Sequence, residues 1–218
     1  MDFLQSAARG WWTQRCRNLQ CRPYCDNTNP YMERYIVPDQ GTGGLLSPYL
    51  RRERFRAVIP LIRGGVLDFG CGVGELARYC DHSRYWGVDY DSEALEIARA
   101  RFPQCRFSSE LPVSEKFDTI VGLAVIEHMK EPEELLRRLR GLMADGGRLV
   151  LTTPHPSYRR VHDLGARLGI FSREASEEHE MFFDKDSLRE TAVRAGLNLV
   201  SVHRFLCGAN QLFVLTRP

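Results

Sequence analysis

Val66-Leu67-Asp68-Phe69-Gly70-Cys71-Gly72-Val73-Gly74-Glu75 is the stretch that decides the fold: a short apolar run carrying an acid, then three glycines at alternate positions. The apolar part reads as a buried strand, and the glycines as the tight turn that ends it. Glycine reaches backbone angles closed to other residues and puts no Cβ between the main chain and a ligand. A strand followed by such a turn marks the start of a nucleotide-type cofactor site on an α/β sheet. The spacing says which type. A dinucleotide loop has the pattern G-x-G-x-x-G, its last glycine packing helix against strand. Gly70, Gly72 and Gly74 are spaced G-x-G-x-G behind Asp68, which speaks against a nicotinamide dehydrogenase.

Working outward, the neighbours of this turn recur in a regular order. About one helix later, Tyr85-Trp86-Gly87-Val88-Asp89 reads as a second strand ending in an acid, suited to accept hydrogen bonds from two ribose hydroxyls. Ser92 is the expected cap of a helix over 93–101, rich in Ala, Leu, Glu and Arg. A third strand around Phe107 precedes Ser108-Ser109-Glu110-Leu111-Pro112, and residues 117–123 form a buried fourth strand. The helix 132–142 begins with Pro and two acids and ends near Asp145-Gly146-Gly147. A further strand follows over 148–154. Near the C-terminus, a helix over 185–195 leads to strands 197–206 and 211–216, joined by the hairpin-length loop Cys207-Gly208-Ala209-Asn210.

Taken together, these segments resemble class I S-adenosylmethionine (SAM) methyltransferases, and among them the ubiquinone-type small-molecule O-methyltransferases. The resemblance runs from about Val66 to the C-terminus. It implies a Rossmann-like, seven-stranded, mostly parallel sheet with helices on both faces and an antiparallel last strand, preceded by an N-terminal helical cap. It also implies the cofactor residues. Asp68 orients the loop and holds the methionine ammonium, partly through water, while Gly70, Gly72 and Gly74 admit the methionine portion. Asp89 binds the ribose, Tyr90 packs on adenine, and Leu123 offers a backbone carbonyl to the ammonium. Glu127-His128 resembles the family's L-E-H motif at the methionine end, so His128 joins the pocket. The family often has an acid in a D-A-x-x-L-P setting that contacts the adenine amino group; here Ser109 or Glu110 stands in its place.

Composition agrees with a globular chain of 218 residues, with 30 basic and 28 acidic side chains. That balance gives no global electrostatic argument for nucleic acid or membrane. No run of about 18 apolar residues occurs, so no spanning helix is expected, and the first ten residues lack a signal-like core. A cytoplasmic location is the expectation. The seven cysteines are odd in number and several fall in the expected core, as reduced thiols do. Cys16, Cys21 and Cys25 cluster near the N-terminus, but spacings of x4 and x3 without a fourth ligand nearby do not match structural zinc. Ordinary thiols are the better reading, and no metal is expected.

Two segments carry no cofactor motif and are assigned to the acceptor side. Residues 1–46 form a helical extension or lid, and 47–218 the cofactor-binding domain. Tyr31, Arg34 and Tyr35 are the lid residues expected to meet the acceptor, with packing on the core as the competing reading. Within the domain, 157–180 is an insertion of the kind that is often functional, and its Arg159-Arg160 pair suits an anionic acceptor or, more simply, a solvated surface. Methyl transfer demands mainly alignment of acceptor, methyl and sulfur. An oxygen acceptor also gives up a proton, and a positioned histidine is the commonest base, typically worth about 10²–10⁴-fold. His155, just past a strand end, and His179, between two acids, are the candidates; either is otherwise a loop-fixing residue. The leading reading is therefore a methyltransferase acting on a small molecule, most simply on a hydroxyl oxygen. A nucleic-acid methyltransferase is the second, weakened because no N-P-P-Y/F sequence follows the fourth strand. A SAM-binding protein without catalysis is the third.

Overall fold

The computed structural model describes residues 47–158 and 183–218. It opens with α1 (Ser47–Val58), which tightens into a 3-10 turn at Ile59–Leu61. A single helix over 47–62 was the sequence expectation. Pro60 explains the change, because proline supplies no N–H and its ring clashes with the preceding turn.

The strands are β1 (Val66–Phe69), β2 (Tyr85–Val88), β3 (Arg106–Ser108), β4 (Phe117–Leu123), β5 (Met143–Pro154), β6 (Asn198–Phe205) and β7 (Asn210–Thr216). They form one seven-stranded sheet in the order β3-β2-β1-β4-β5-β7-β6. β1 to β5 are mutually parallel along that order, and β7 is antiparallel to both β5 and β6. The helices α2 (Ser92–Arg101), α3 (Pro132–Leu142) and α4 (Lys185–Arg194) complete the described residues together with short 3-10 turns. The expected sheet, with helices on both faces and an antiparallel last strand, is the one observed, while the expected N-terminal helical cap lies outside the described residues.

Alternation along the strands explains why helices cover both faces. Leu67, Ile120, Leu149, Leu151 and Phe213 turn to one face and pack with Leu136 and Leu139 of α3 and Leu188 of α4. Their strand neighbours Val66, Val121, Val150, Leu212 and Val214 turn to the other and pack with Val58 and Phe55 of α1. Successive side chains of a strand point to opposite faces, so runs apolar at every position are what a doubly covered parallel sheet requires.

Three local expectations are corrected. Asp91, not Ser92, caps α2: its carboxylate accepts from the amides of Glu93 (2.9 Å) and Ala94 (3.2 Å). The segment after the glycine turn is a 3-10 helix, Glu75–Tyr79, rather than a full α-helix. The fifth strand begins at Met143 rather than Arg148, because Phe117 pairs with Met143 and Thr119 with Arg148, leaving one residue of β4 opposite four of β5. Asp145-Gly146-Gly147 sits in that bulge, the bend the glycines suggested, but inside the strand.

Chain order along the sheet reverses between β1 and β4. In open α/β sheets the crevice beyond the carboxyl ends of the strands at such a reversal is where ligands bind. That places attention on Gly70 to Gly74 after β1, Asp89 after β2 and residues 124–128 after β4.

Candidate functional site

The loop after β1 is tied down by backbone bonds. The amides of Gly70 and Cys71 both donate to the Val88 carbonyl, at 2.8 and 3.1 Å, and the Asp89 amide donates to Ser108 at 3.2 Å. The ends of β1, β2 and β3 are thereby stitched into one rim. Gly72 then donates its amide to Asp89 Oδ2 at 2.6 Å, while Asp89 Oδ1 accepts from Asp91 N at 3.0 Å. Asp89 is half-buried. Its carboxylate therefore braces the glycine loop and stands at its edge, where a ribose would meet both.

The glycines differ in what they make room for. Gly70 has φ +76°, and a Cβ there would lie 2.4 Å from Val125 Cγ2, so this glycine lets the turn after β4 close on the loop. Gly72 has φ +50°, and a Cβ there would meet nothing within 4 Å. The loop's backbone thus presents an open cradle at the switch point, bordered by an acid. Tyr90, beside it, is 95 % exposed, a free aromatic surface at the same rim. This arrangement fits an adenosyl group with its ribose on Asp89. Ser109 and Glu110 follow β3 on the same edge, both exposed, with the Glu110 amide bonded to Ser108 Oγ at 3.0 Å.

Asp68 sits beneath the loop rather than in it. It is buried, and Tyr85 Oη donates to its Oδ2 at 2.6 Å. Burial pushes its carboxyl up to about 7, against the pull of the Tyr85 hydrogen bond and with the nearby Asp89 adding to the rise. Burial likewise pushes the thiols of Cys71 and Cys80 up, which keeps them protonated and poor nucleophiles. Tyr85 was read from sequence only as a strand residue; its hydroxyl turns out to hold the motif's acid.

Beyond β4, Leu123 pairs with Thr152, and Ala124 (φ +55°) donates its amide to Thr152 O at 2.9 Å. This left-handed residue turns the chain across the sheet's edge into the short 3-10 helix Ile126–His128. His128 is exposed at its end, its amide bonded to Val125 O. Glu127 is the residue that sequence reasoning passed over. It is buried, and neither carboxylate oxygen has a hydrogen-bond partner. The L-E-H resemblance named the position, but nothing in the sequence shows that its carboxylate is enclosed.

His155 follows β5 and is 8 % exposed. Its Nδ1 lies 2.6 Å from Ser157 Oγ, and its Nε2 meets the Arg204 guanidinium. Arginine only donates, so Nε2 faces a donor, and the Ser157 amide donates to Nδ1 at 3.2 Å, so that both ring nitrogens are engaged. Burial and Arg204 together hold this histidine below its usual range, with Asp184 opposing. The lone pair a general base needs is thus already engaged. Tyr31, Arg34, Tyr35, Arg159, Arg160 and His179 lie outside the described residues, as do Cys16, Cys21 and Cys25. Among the described residues, no group of three or more His, Cys, Asp or Glu gathers to hold a metal, and no helix is long and apolar enough to cross a membrane.

Comparison with known proteins agrees with this geometry. The profile of the methyltransferase-domain family matches residues 41–202. An uncharacterized methyltransferase of Mycobacterium tuberculosis is 37% identical over 114 residues, 47% of this chain and 57% of that protein. The malonyl-[acyl-carrier protein] O-methyltransferase of Halalkalibacterium halodurans is 29% identical over 114 residues, 45% of this chain and 42% of that protein. The chain thus spans about half the length of these curated relatives. Among solved structures, magnesium protoporphyrin IX methyltransferase from Synechocystis, with bound S-adenosylhomocysteine, superposes with a TM-score of 0.59 at 18% identity, covering 77% of this chain and 84% of that one. With the sheet order, the glycine loop and a family match across most of its length, this chain belongs to the class I SAM-dependent methyltransferase family.

Proposed function

We propose that this protein transfers a methyl group from SAM to an oxygen of a small-molecule acceptor. The observation that carries the reading is the open backbone cradle at Gly72, held by the Asp89 carboxylate at the point where strand order reverses. Bound there, SAM supplies a methyl group already activated by its positive sulfur. The chain's own task is to hold and align. Asp89 and the Gly72 amide fix the ribose end, Tyr90 covers the adenine, and Ser109 or Glu110 meets its amino group. The chain end of β4 at Leu123, with His128 beyond it, borders the methionine end, and Asp68 steadies the loop from below.

The acceptor enters from the side of His155. We assign Tyr31, Arg34 and Tyr35 of the N-terminal extension to acceptor recognition, and Arg159 and Arg160 to an acceptor that is anionic. His155, fixed between Ser157 and Arg204, positions the start of the acceptor segment. An oxygen acceptor draws support from the name of the Halalkalibacterium relative, an O-methyltransferase. Free thiols at Cys71, Cys80 and Cys105 suit a reducing cytoplasmic setting.

Incubation with methyl-labelled SAM and a panel of phenols, alcohols, carboxylic acids, amines and RNA tests the reading. Label is expected in a hydroxyl or carboxyl compound and to fall with Arg159→Ala when that compound is anionic. Label confined to amines or to RNA would contradict it.

A further inference from the structure

Glu127 is hard to explain as a structural residue. Its side chain is 1 % exposed and its two oxygens have no hydrogen-bond partner, while the strand bordering its turn carries a second buried, unbonded oxygen at Thr152 Oγ1. A buried carboxylate without a well-formed hydrogen bond is costly, and natural cores pair such groups or do without them. Burial holds this carboxyl above its ordinary range in spite of the Arg54 charge and the nearby Thr153 hydroxyl, which both favour its ionised form. Groups kept in so unfavourable a state cluster at functional sites.

Its position suggests the function. On one side, Val125 occupies the space a Gly70 Cβ would fill, so the turn bearing Glu127 lies directly against the cofactor loop. On the other, Arg54 of α1 reaches to Asn210 Oδ1 at 3.3 Å, and Asn210 pairs with Pro154, one residue before His155. Glu127 therefore stands between the loop that cradles the cofactor and the strand ends that lead to the acceptor segment. The lone pair of His155 on that side is engaged by Arg204.

Resting on the cofactor reading above, we propose that Glu127 faces the transferring methyl group and takes the acceptor's proton. As the oxygen lone pair of the acceptor forms the new bond to the methyl carbon, the carbon–sulfur bond breaks and its electron pair returns to sulfur, which becomes neutral. The acceptor's hydroxyl proton passes to the Glu127 carboxylate and leaves to solvent after product departs. A carboxylate in this place also senses the positive charge of the cofactor before any acceptor arrives, which makes the proposal testable by binding alone.

The probes are S-adenosylhomocysteine, neutral at sulfur, and sinefungin, which carries an ammonium near the position of the methylsulfonium. Calorimetric titrations near pH 7, in buffers of different ionisation enthalpy, count the protons exchanged. Sinefungin is expected to expel more protons than S-adenosylhomocysteine, because its charge favours the ionised carboxylate. In Glu127→Gln that excess disappears and sinefungin affinity falls about tenfold or more, the effect of losing a desolvated charge pair, while S-adenosylhomocysteine affinity stays within about twofold. Glu127→Asp, which keeps the charge, retains part of the preference. Equal loss of both ligands in Glu127→Gln, or no change in either, overturns the proposal and leaves the cofactor reading standing. Failure of the wild-type protein to bind S-adenosylhomocysteine overturns the cofactor reading, and the proposal with it. The proton count compares two ligands on the wild-type protein, so it decides the matter even where a variant does not fold; equal counts contradict the proposal.

Discussion

Asp68 is raised by burial from its ordinary 3.8 to about 7, and the sign of its effect on stability follows. The folded state holds this proton more tightly than the unfolded chain, so the contribution to stability is fully present below about pH 4 and is lost as pH rises through about 7. At about 1.4 kcal/mol per pH unit, the difference is on the order of 4 kcal/mol. Asp68→Asn is therefore expected to flatten the decline of urea-unfolding stability between pH 5 and pH 8 relative to wild type; an unchanged slope would mean that the carboxyl is solvated. Tyr85→Phe removes the bond that favours the ionised form and is expected to move the decline to higher pH. At this scale the sequence was legible where chemistry is local. Asp68, Gly72 and Asp89 are placed by the spacing of one turn and one strand end. It was not legible where a contact is made across the sheet, as between Tyr85 and Asp68 or Arg204 and His155. Glu127 belongs with these, since enclosure depends on what packs around it.

Elements were read well where an apolar run or a helix-start residue marks them and less well at their ends. α3 was placed by Pro132 and its two first-turn acids, and the structure adds its apolar stripe, with Leu136 and Leu139 fully buried. Leu139→Ala is expected to cost about 2–5 kcal/mol by chemical denaturation, whereas Val113→Ala, at a site 96 % exposed, stays within about 0.5 kcal/mol. At the start of α2 two adjacent residues both qualify as caps, and only the backbone angles choose between them. Because Asp91 makes the capping bonds, Asp91→Ala is expected to lower stability by about 1 kcal/mol and Ser92→Ala by clearly less; the reverse order would restore the sequence expectation. α4 has the fuller device, a box in which Asp184 and Ser187 cap each other's amides. The bulge in β5 escaped notice because glycine-rich bends look alike whether they end a helix or interrupt a strand.

Across the whole molecule, a seven-stranded, mostly parallel sheet with an antiparallel last strand was anticipated from the resemblance rather than from any single strand, and the order β3-β2-β1-β4-β5-β7-β6 is what the structure adds. Consistency among many segments is what specifies a fold. The same order explains where the site lies, because the cofactor loop, the acid after β2 and the turn after β4 converge only where the sheet changes direction. What the acceptor is was not legible, since the segments assigned to it carry no recurring motif. The central claim is that the Gly72 cradle and Asp89 together bind SAM. Calorimetric titration with S-adenosylhomocysteine tests it most directly, using wild type, Asp89→Ala and Gly72→Val, with NADH as the control ligand. One site on wild type, weakened about tenfold or more in either variant and no response to NADH, is the predicted result. Absence of binding to wild type, or affinity unchanged in both variants, would contradict it.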